Sequence, residues 1–438
     1  METALCPHNR LSSLPMRLFI IAAALLFLGS NGTERTERDV FRSDVLTFHG
    51  NQKISADSLT GDSFPVILTC RPADPQTLPL EYSTILRGID PVEKALLQDA
   101  QYGKWERFDL FRAAMIVEGI RDPELIRTYE ARLNALVAKV LSTAQVEGKN
   151  SPQALTRALF EAMHREILTR TYSLDCTELG KVMQTGHFNC VSATILFNCL
   201  AEKAGLDVCA LEMPGHALSR VKFADGIAMN LETTCPTWFE LQSDKERRMA
   251  TLQVVAPALA TPESAMAQNA AAPPEVVAEA ELPSNLREIS PVQLVATIYY
   301  NIGVDLLTRK CYPEAAAANI KALYLDKNNG QAWLNLLASL NNWALELAQD
   351  NNGKGRQYDV ATIILDQGVS LDPTYANFRS NQTFVLYNWI RDLANLGHFD
   401  KARQVYAHAN QRLPDNQTLK NLMNDVNEGE AKIKQQRK

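Results

Sequence analysis

The chain has 438 residues, of which 46% are hydrophobic and 21% are charged, and its formal net charge at pH 7 is −6. This length leaves room for two or three domains with ordinary hydrophobic cores. Lys and Arg never occur in runs longer than a pair, and the balance of charge is acidic. Nucleic-acid binders usually carry a basic face, so we expect no nucleic-acid partner.

The first predicted element is a targeting segment at residues 1–32. Arg10 and Arg17 precede the eleven consecutive apolar residues Leu18–Leu28, and small residues follow. This order is typical of a secretory signal peptide, and the apolar run is shorter than the roughly 20 residues that span a bilayer. We expect an exported protein of the periplasm or cell envelope. An uncleaved segment that tethers the chain to the membrane is the alternative.

The next region, residues 33–104, is largely polar, and its role is not predicted. From about residue 91 the pattern becomes helical. Asp122 and Ser151 each precede a proline. Such pairs are typical of helix starts, because the Asp or Ser side chain caps the first turn and proline is well tolerated at the first helical position. Apolar residues then recur at helical spacing, so each of these helices is expected to bury one face.

A further helix is predicted over Val191–Ala204, after a short loop, with Gly205 as its C-terminal stop, so that Cys190 lies at the helix N-terminus. Its apolar residues are expected on one side. The first turn of a helix carries partial positive charge, which favours the thiolate form of a cysteine. Cys190 is therefore a candidate nucleophile.

Three strands are predicted after this helix, over Leu206–Met213, His216–Phe223 and Ile227–Thr233, with Pro-Gly and Asp-Gly turns between them. His216 opens the second strand and Glu232 lies near the end of the third. Antiparallel pairing makes these two ends neighbours. If both side chains face one side, Glu232 can orient the imidazole, and His216 can take the proton of a thiol.

The segments GHFNC, which ends at Cys190, and MPGH, which ends at His216, resemble the transglutaminase-like superfamily, and in particular bacterial proteins of the SirB type. The resemblance implies an α+β, papain-type domain with N-terminal helices over residues 105–250. It also implies that Cys190 is the nucleophile, His216 the general base and then acid, and Glu232 the orienting acid. The family commonly has Asp at the third place, and Asn230 is the alternative to Glu232.

Two other residues near Cys190 in the sequence could belong to the same site. Gln184 is a candidate for the oxyanion hole, together with the backbone N–H of Cys190. His187 is only three residues from Cys190, so we expect it to be a loop residue and not the base, which should come from the facing sheet. The cysteine spacings match no zinc module, and phosphate-loop, dinucleotide, HExxH and GxSxG motifs are absent. We expect neither a cofactor nor a metal.

Residues 251–290 are predicted to be a linker, because the 28 residues from 256 to 283 include ten Ala and five Pro but no aromatic residue, Lys, Arg or Gly. An all-α array is predicted over 291–425, with a charged tail at 426–438. Three of its segments place a small residue twelve positions before a helix-ending Lys or Pro, and they resemble tetratricopeptide repeats with insertions, the first near 351–356. The three small residues are Ala315, Ala361 and Ala402.

The resemblance implies a thiol enzyme that hydrolyses or transfers an amide or acyl group. Its repeat array would bind a protein or peptide partner in a groove. The main alternative is a catalytically inactive scaffold of the same two parts that mediates protein–protein interaction. A structural envelope protein tethered by its N-terminal segment is the third hypothesis.

Overall fold

The structure, a computed structural model, describes residues 89–213, 215–241, 286–349 and 355–436. The expected signal segment and most of the expected linker, together with most of 33–104, lie outside the described residues. The chain forms two compact units. The first contains Ile89–Ile302 and Lys321–Asn329, and the second contains Gly303–Ile320 and the chain from Gly330 onward.

The described part of the first unit begins with six α-helices, two of which start where the sequence predicts. Asp122 accepts a hydrogen bond from the backbone N–H of Glu124 (2.9 Å), and Ser151 accepts one from Ala154 (3.2 Å). Both caps satisfy backbone donors that have no partner within the helix. The bounds are α1 Pro91–Asp99, α2 Leu110–Val117, α3 Pro123–Glu147, α4 Pro152–Glu166, α5 Leu179–Thr185 and α6 Cys190–Lys203.

Helix α6 is the centre of this unit. Every residue from Cys190 to Ala201 is buried, so the expectation of a single buried side is wrong. The helix contacts the sheet as well as α2, α3, α4 and α5, and no side faces water over these turns. Its polar residues find partners inside the core, as in the 2.9 Å hydrogen bond between the hydroxyls of Thr194 and Thr233.

The sheet of the first unit is antiparallel, and its strands lie in the order β3-β2-β1-β4. The three predicted strands are confirmed, with Met213 paired to His216 and Ser219 paired to Leu231. A short helix, α7, follows the third strand. The bounds are β1 Asp207–Met213, β2 His216–Lys222, β3 Ala228–Leu231, α7 Trp238–Leu241 and β4 Arg287–Ile289.

Strand β4 falls within the segment that was expected to be linker to residue 290, and this is a correction. Ile289 pairs with Ala210 of β1. The Arg287 guanidinium contacts the carboxylates of Glu212 (2.5 Å) and Asp326 (3.1 Å). These contacts explain why β4, and the short stretch around Asp326, belong to the first unit.

The C-terminal part of the chain is a helical array, as predicted. Ala315, Ala361 and Ala402 are all fully buried, which confirms that small residues lie where helices approach closely. The last helix continues through most of the segment 426–438, which was expected to be only a charged tail. The bounds are α8 Pro291–Thr308, α9 Tyr312–Leu325, α10 Gly330–Gln349, α11 Tyr358–Leu371, α12 Ala376–Asn395, α13 Phe399–Arg412 and α14 Gln417–Gln436.

Close packing inside the array depends on glycine at Gly368. A Cβ atom at this position of α11 would lie only 2.4 Å from the ring of Phe378 in α12, which is fully buried. The expected insertion near 351–356 falls largely outside the described residues. Among the described residues, no helix combines the length and the apolar character that crossing a bilayer requires.

Candidate active site

Cys190 is the first residue of α6, as predicted, and its position is fixed by the residue before it. The side-chain oxygen of Asn189 accepts hydrogen bonds from the backbone N–H groups of Val191 (3.0 Å) and Ser192 (3.1 Å). The Ser192 hydroxyl in turn accepts a bond from the Asn189 N–H (3.0 Å). This reciprocal cap holds the first turn of the helix, with its partial positive charge, at the sulfur of Cys190.

The cap is also anchored to the chain that precedes it. The amide nitrogen of Asn189 donates to the hydroxyl of Thr177 (2.7 Å) and to the carbonyl of Leu174 (3.2 Å). The Ser192 hydroxyl donates to the carbonyl of Cys176 (2.7 Å). Because Asn189 and Ser192 are buried, these bonds are shielded from water, and the start of α6 is held rigidly.

His216 and Glu232 meet across β2 and β3, as the predicted hairpin requires. His216 is the first residue of β2, and Glu232 directly follows β3. The Nε2 atom of His216 lies 2.6 Å from Oε2 of Glu232, and both side chains are almost completely buried. The imidazole is also a close neighbour of the Cys190 thiol and is the group that most lowers its pKa. Since Nε2 is taken by Glu232, the Nδ1 atom is left for the sulfur.

The second carboxylate oxygen of Glu232 has its own partners. Oε1 accepts hydrogen bonds from the backbone N–H (3.1 Å) and the hydroxyl (2.5 Å) of Thr234. Burial by itself would raise the pKa of Glu232, but His216 and the two bonds from Thr234 outweigh it and lower the pKa below its ordinary value. Glu232 is therefore an ionised carboxylate that fixes the His216 ring.

The thiol and the imidazole shift each other in opposite directions. Burial would raise the pKa of Cys190, but the hydrogen bond and charge of His216 and the backbone N–H of Ala217 lower it. Burial would lower the pKa of His216, but Glu232 and Cys190 raise it well above its ordinary value. These directions favour a thiolate–imidazolium pair. By contrast, burial raises the pKa of Cys199 well above its ordinary value and that of Cys209 to about 11.

Tyr172 is a site residue that the sequence did not suggest. The residue is 41% exposed, and its phenol is a neighbour of Cys190 and Glu232. Burial raises the pKa of Tyr172, and the neighbouring Cys190 and Glu232 raise it further, so the hydroxyl keeps its proton. The only signal in the sequence is a short run of β-favouring residues, Thr169–Ser173, between two helices.

His164 of α4 packs against aromatic rings near Glu232. Its ring lies 4.7 Å from the ring of Phe160 and 5.9 Å from that of Phe188, measured between centroids. Burial lowers the pKa of His164 to about 4, despite the neighbouring Glu232 and the backbone of Thr233. His164 is therefore neutral at pH 7 and adds no positive charge beside Glu232.

Three other sequence candidates lie apart from this arrangement. Gln184 is exposed and makes no hydrogen bond or ion pair with Cys190, His216 or Glu232. Asn230 accepts a hydrogen bond from Nε of Arg220 (2.8 Å), so its amide does not orient the His216 ring. His187 contacts the carbonyl of Thr171 through Nδ1 (3.0 Å), in keeping with a loop residue. In the part of the chain that the structure describes, no three His, Cys, Asp or Glu side chains are grouped to hold a metal ion.

Comparison of the chain with protein-family models, with curated proteins and with solved structures finds no match. The function of the protein therefore has to be inferred from the chemistry of these side chains.

Proposed function

We propose that the protein is a transglutaminase-like thiol enzyme, with a papain-type catalytic domain, that acts on an amide or acyl bond of a protein or peptide. The observation that carries the proposal is the 2.6 Å contact between His216 and Glu232, together with the influence of the same imidazole on the neighbouring Cys190 thiol. A nucleophile, a base and an acid that orients the base are the three parts that thiol acyl transfer needs. The start of α6 adds a favourable field for the thiolate.

The reaction proceeds through an acyl-enzyme. The Cys190 thiolate attacks the carbonyl carbon, a C–S bond forms, and the carbonyl π electrons move to oxygen. When this intermediate collapses, the C–N bond breaks and the His216 imidazolium gives its proton to the leaving amine, which leaves a thioester on Cys190. Water or a second amine then attacks the thioester while His216 takes its proton, and the C–S bond breaks to release the acyl product and return the Cys190 thiolate beside the His216 imidazolium. Hydrolysis and transfer differ only in this acceptor.

The helical array is proposed to hold the protein or peptide partner. Its pairs of helices, with buried alanines at the close approaches, are of the tetratricopeptide kind in this proposal, and stacked helix pairs of that kind present an extended concave surface. Export to the periplasm or cell envelope is part of the same proposal. The N-terminal segment would then be either a cleaved signal or a membrane tether.

One observation favours a second function, a catalytically inactive scaffold of the same parts. Cys190 is only 7% exposed, and the Tyr172 phenol is one of its neighbours. Both features restrict the approach of a substrate. A scaffold needs only the surfaces of the two units, so Cys190→Ala would leave its partner binding and cellular role intact.

The test is covalent reaction of the full chain with p-nitrophenyl acetate at pH 7. The proposal expects a burst of one equivalent of p-nitrophenolate and an acetyl group on Cys190, found by mass spectrometry of the peptides. Cys190→Ala should abolish the burst. Cys209→Ala, which removes a half-buried thiol of the same unit, is the matched control and should leave it unchanged. Acetylation of Cys190 no faster than of Cys209 would overturn the enzyme proposal.

A further inference from the structure

Helix α8 supplies a side chain to the hydrogen bonds that surround the start of α6. Asn301 lies in α8, and the first unit includes this helix up to Ile302. The Nδ2 atom of Asn301 donates to the hydroxyl oxygen of Thr177 (3.2 Å), a buried residue in the loop before α5. The same oxygen accepts a second bond (2.7 Å) from Nδ2 of Asn189, the residue that caps α6. One hydroxyl group therefore joins α8 to the cap.

The part of α8 that reaches Thr177 is held in place by two further contacts. The Tyr299 hydroxyl donates to Oε1 of Glu93 in α1 (2.6 Å), and Nε2 of Gln293 donates to the carboxylate of Asp326 (3.1 Å). Both acceptors are buried, so water does not compete for these bonds. The donor to Thr177 is therefore presented by a helix whose position is fixed.

The Asn189 amide works as a cap in only one orientation. Its oxygen has to face the N–H groups of Val191 and Ser192, and its nitrogen has to face the Leu174 carbonyl and the Thr177 hydroxyl. A carbonyl only accepts hydrogen bonds, but a hydroxyl can accept or donate. A Thr177 proton directed at Asn189 would favour the turned-over amide, whose nitrogen would point at the helix N–H groups and break the cap.

The second donor excludes that arrangement. With one amide N–H from Asn189 and another from Asn301, both lone pairs of the Thr177 oxygen are used, and its proton is directed away from both amides. We propose that Thr177 and Asn301 are positioning residues, which hold the Asn189 amide in the orientation that caps α6 at the nucleophile. The inference rests on the proposed function, because the cap matters to the reaction only if Cys190 is that nucleophile.

The cap acts on Cys190 through the first turn of α6. The N–H groups that it holds contribute to the partial positive charge that favours the thiolate. When the amide of Asn189 loses its fixed orientation, this turn frays, and both the charge and the position of the sulfur become less well defined. Every reaction of the Cys190 thiolate should then slow, including a simple alkylation.

The first test compares Thr177→Val, which replaces the hydroxyl with a methyl group of similar size, with Thr177→Ser, which keeps the oxygen. Alkylation of Cys190 by iodoacetamide is measured in the full chain at pH 7, relative to the half-buried Cys209 of the same unit. We expect Thr177→Val to slow alkylation of Cys190 about threefold, the usual scale of charge effects at a helix N-terminus. Thr177→Ser should restore the wild-type rate.

Thr297→Val is the matched control for the lost hydroxyl. Thr297 and Thr177 are equally buried, at 5% exposure, but the Thr297 hydroxyl donates within α8, to the carbonyl of Leu294 (2.6 Å). This substitution should leave the ratio of Cys190 to Cys209 alkylation unchanged.

The second test asks whether Asn301 acts through Thr177. Asn301→Leu removes the donor with little change in size, and we expect it to slow Cys190 about twofold, the lower end of the same range. In a chain that already carries Thr177→Val it should have no further effect, because the shared hydroxyl is gone. Asn388→Leu, which removes an amide that donates to the Phe384 carbonyl in α12 (2.8 Å), is the control.

The remaining outcomes separate the two proposals. A Thr177→Ser chain as slow as Thr177→Val, or additive effects of Thr177→Val and Asn301→Leu, would overturn the positioning role. Equal slowing of Cys190 and Cys209 would overturn it too, since the whole unit would then be affected. A wild-type burst with p-nitrophenyl acetate, together with unchanged alkylation in Thr177→Val, overturns this inference alone. A wild-type chain without any burst that depends on Cys190 overturns the proposed function.

Discussion

At the scale of single residues, the reactivity of Cys190 depends on the charge of its neighbour. His216 is the main group that opposes the effect of burial on the thiol, and Glu232 is the main group that keeps His216 protonated. Glu232 also repels the thiolate directly, but this influence on Cys190 is weaker than that of His216. Removing the carboxylate should therefore act mostly through the imidazole.

We expect Glu232→Gln to move the alkylation profile of Cys190 to higher pH. In wild type the folded-state pKa of Cys190 is lowered, so thiolate is present below the ordinary thiol range and is lost as pH falls through that lowered pKa. Without the carboxylate, His216 holds its proton less tightly and the Cys190 pKa rises. A rise of about one unit means about tenfold slower alkylation at any pH below the midpoint.

The measurement is the rate of iodoacetamide labelling of the Cys190 peptide between pH 5 and 10. Glu124→Gln removes a carboxylate that is 79% exposed and should leave the midpoint where it is. A midpoint that does not move in Glu232→Gln, or one that moves to lower pH, would contradict the arrangement described for these three residues.

At the scale of elements, the loop before α6 is the most constrained connection around the site. Gly186 and Gly205 have nearly the same left-handed backbone, with φ of +76° and +78°. They differ in space, because a Cβ at Gly205 meets nothing within 4 Å whereas one at Gly186 meets Thr169 and Ile167. Alanine substitutions at these two glycines therefore separate the loss of stability due to the left-handed backbone from the loss due to the steric clash at Gly186.

We expect Gly186→Ala to destabilise the first unit by about 2 kcal/mol more than Gly205→Ala, because it adds a clash in a packed region to the cost of about 1 kcal/mol for a left-handed alanine. It should also slow acetylation of Cys190, since the clash displaces the loop that leads into α6. Stability is read from labelling of the buried Cys199 in increasing urea. Equal effects of the two substitutions would show that the close approach is unimportant.

Local sequence patterns correctly predicted the elements whose starts and ends depend on residues close by in the sequence. The caps at Asp122 and Ser151, the start of α6 at Cys190, and the three strands with His216 at the head of the second all follow from neighbours in the sequence. The same hairpin pattern predicted that His216 and Glu232 meet.

Features that depend on distant partners were not predicted. Strand β4 has only three residues and exists because β1 offers an edge, so nothing in its own sequence marks it. Tyr172 lies sixteen residues before its bridge partner Phe188, and a single bridge has no periodicity. The full burial of α6 was missed because Ser192, Thr194 and Asn198 look like a solvent face until their buried partners are known.

At the scale of the whole molecule, the first unit is not continuous in the sequence. Arg287 of β4 joins Glu212 of β1 to Asp326, which is 2% exposed. Gln293 donates to the same Asp326 carboxylate (3.1 Å). This cluster connects three stretches of chain that are far apart in the sequence, so its loss should be felt by the entire unit.

We expect Arg287→Ala to destabilise the first unit by about 3 kcal/mol, because it leaves the buried Asp326 and the half-buried Glu212 without their cation. Arg287→Lys keeps the positive charge but lacks the planar guanidinium that contacts both carboxylates. It should therefore destabilise the first unit less than Arg287→Ala does. Labelling of Cys199 in urea reports the first unit, and tryptophan fluorescence of Trp389 in the array, with the other tryptophans replaced, reports the second. Equal shifts in both reporters would contradict the assignment of this cluster to the first unit.

The discontinuity of the first unit has a consequence for biosynthesis. When the ribosome has just completed Glu232, all three residues of the proposed active site exist, but the outer edge of β1 has no partner until Arg287–Ile289 are made, and Arg287 lacks one of its carboxylates until Asp326 follows. An open strand edge is a template for association with other chains. We therefore expect the nascent protein to be more prone to association with other chains at this stage than after Asp326 has joined the cluster.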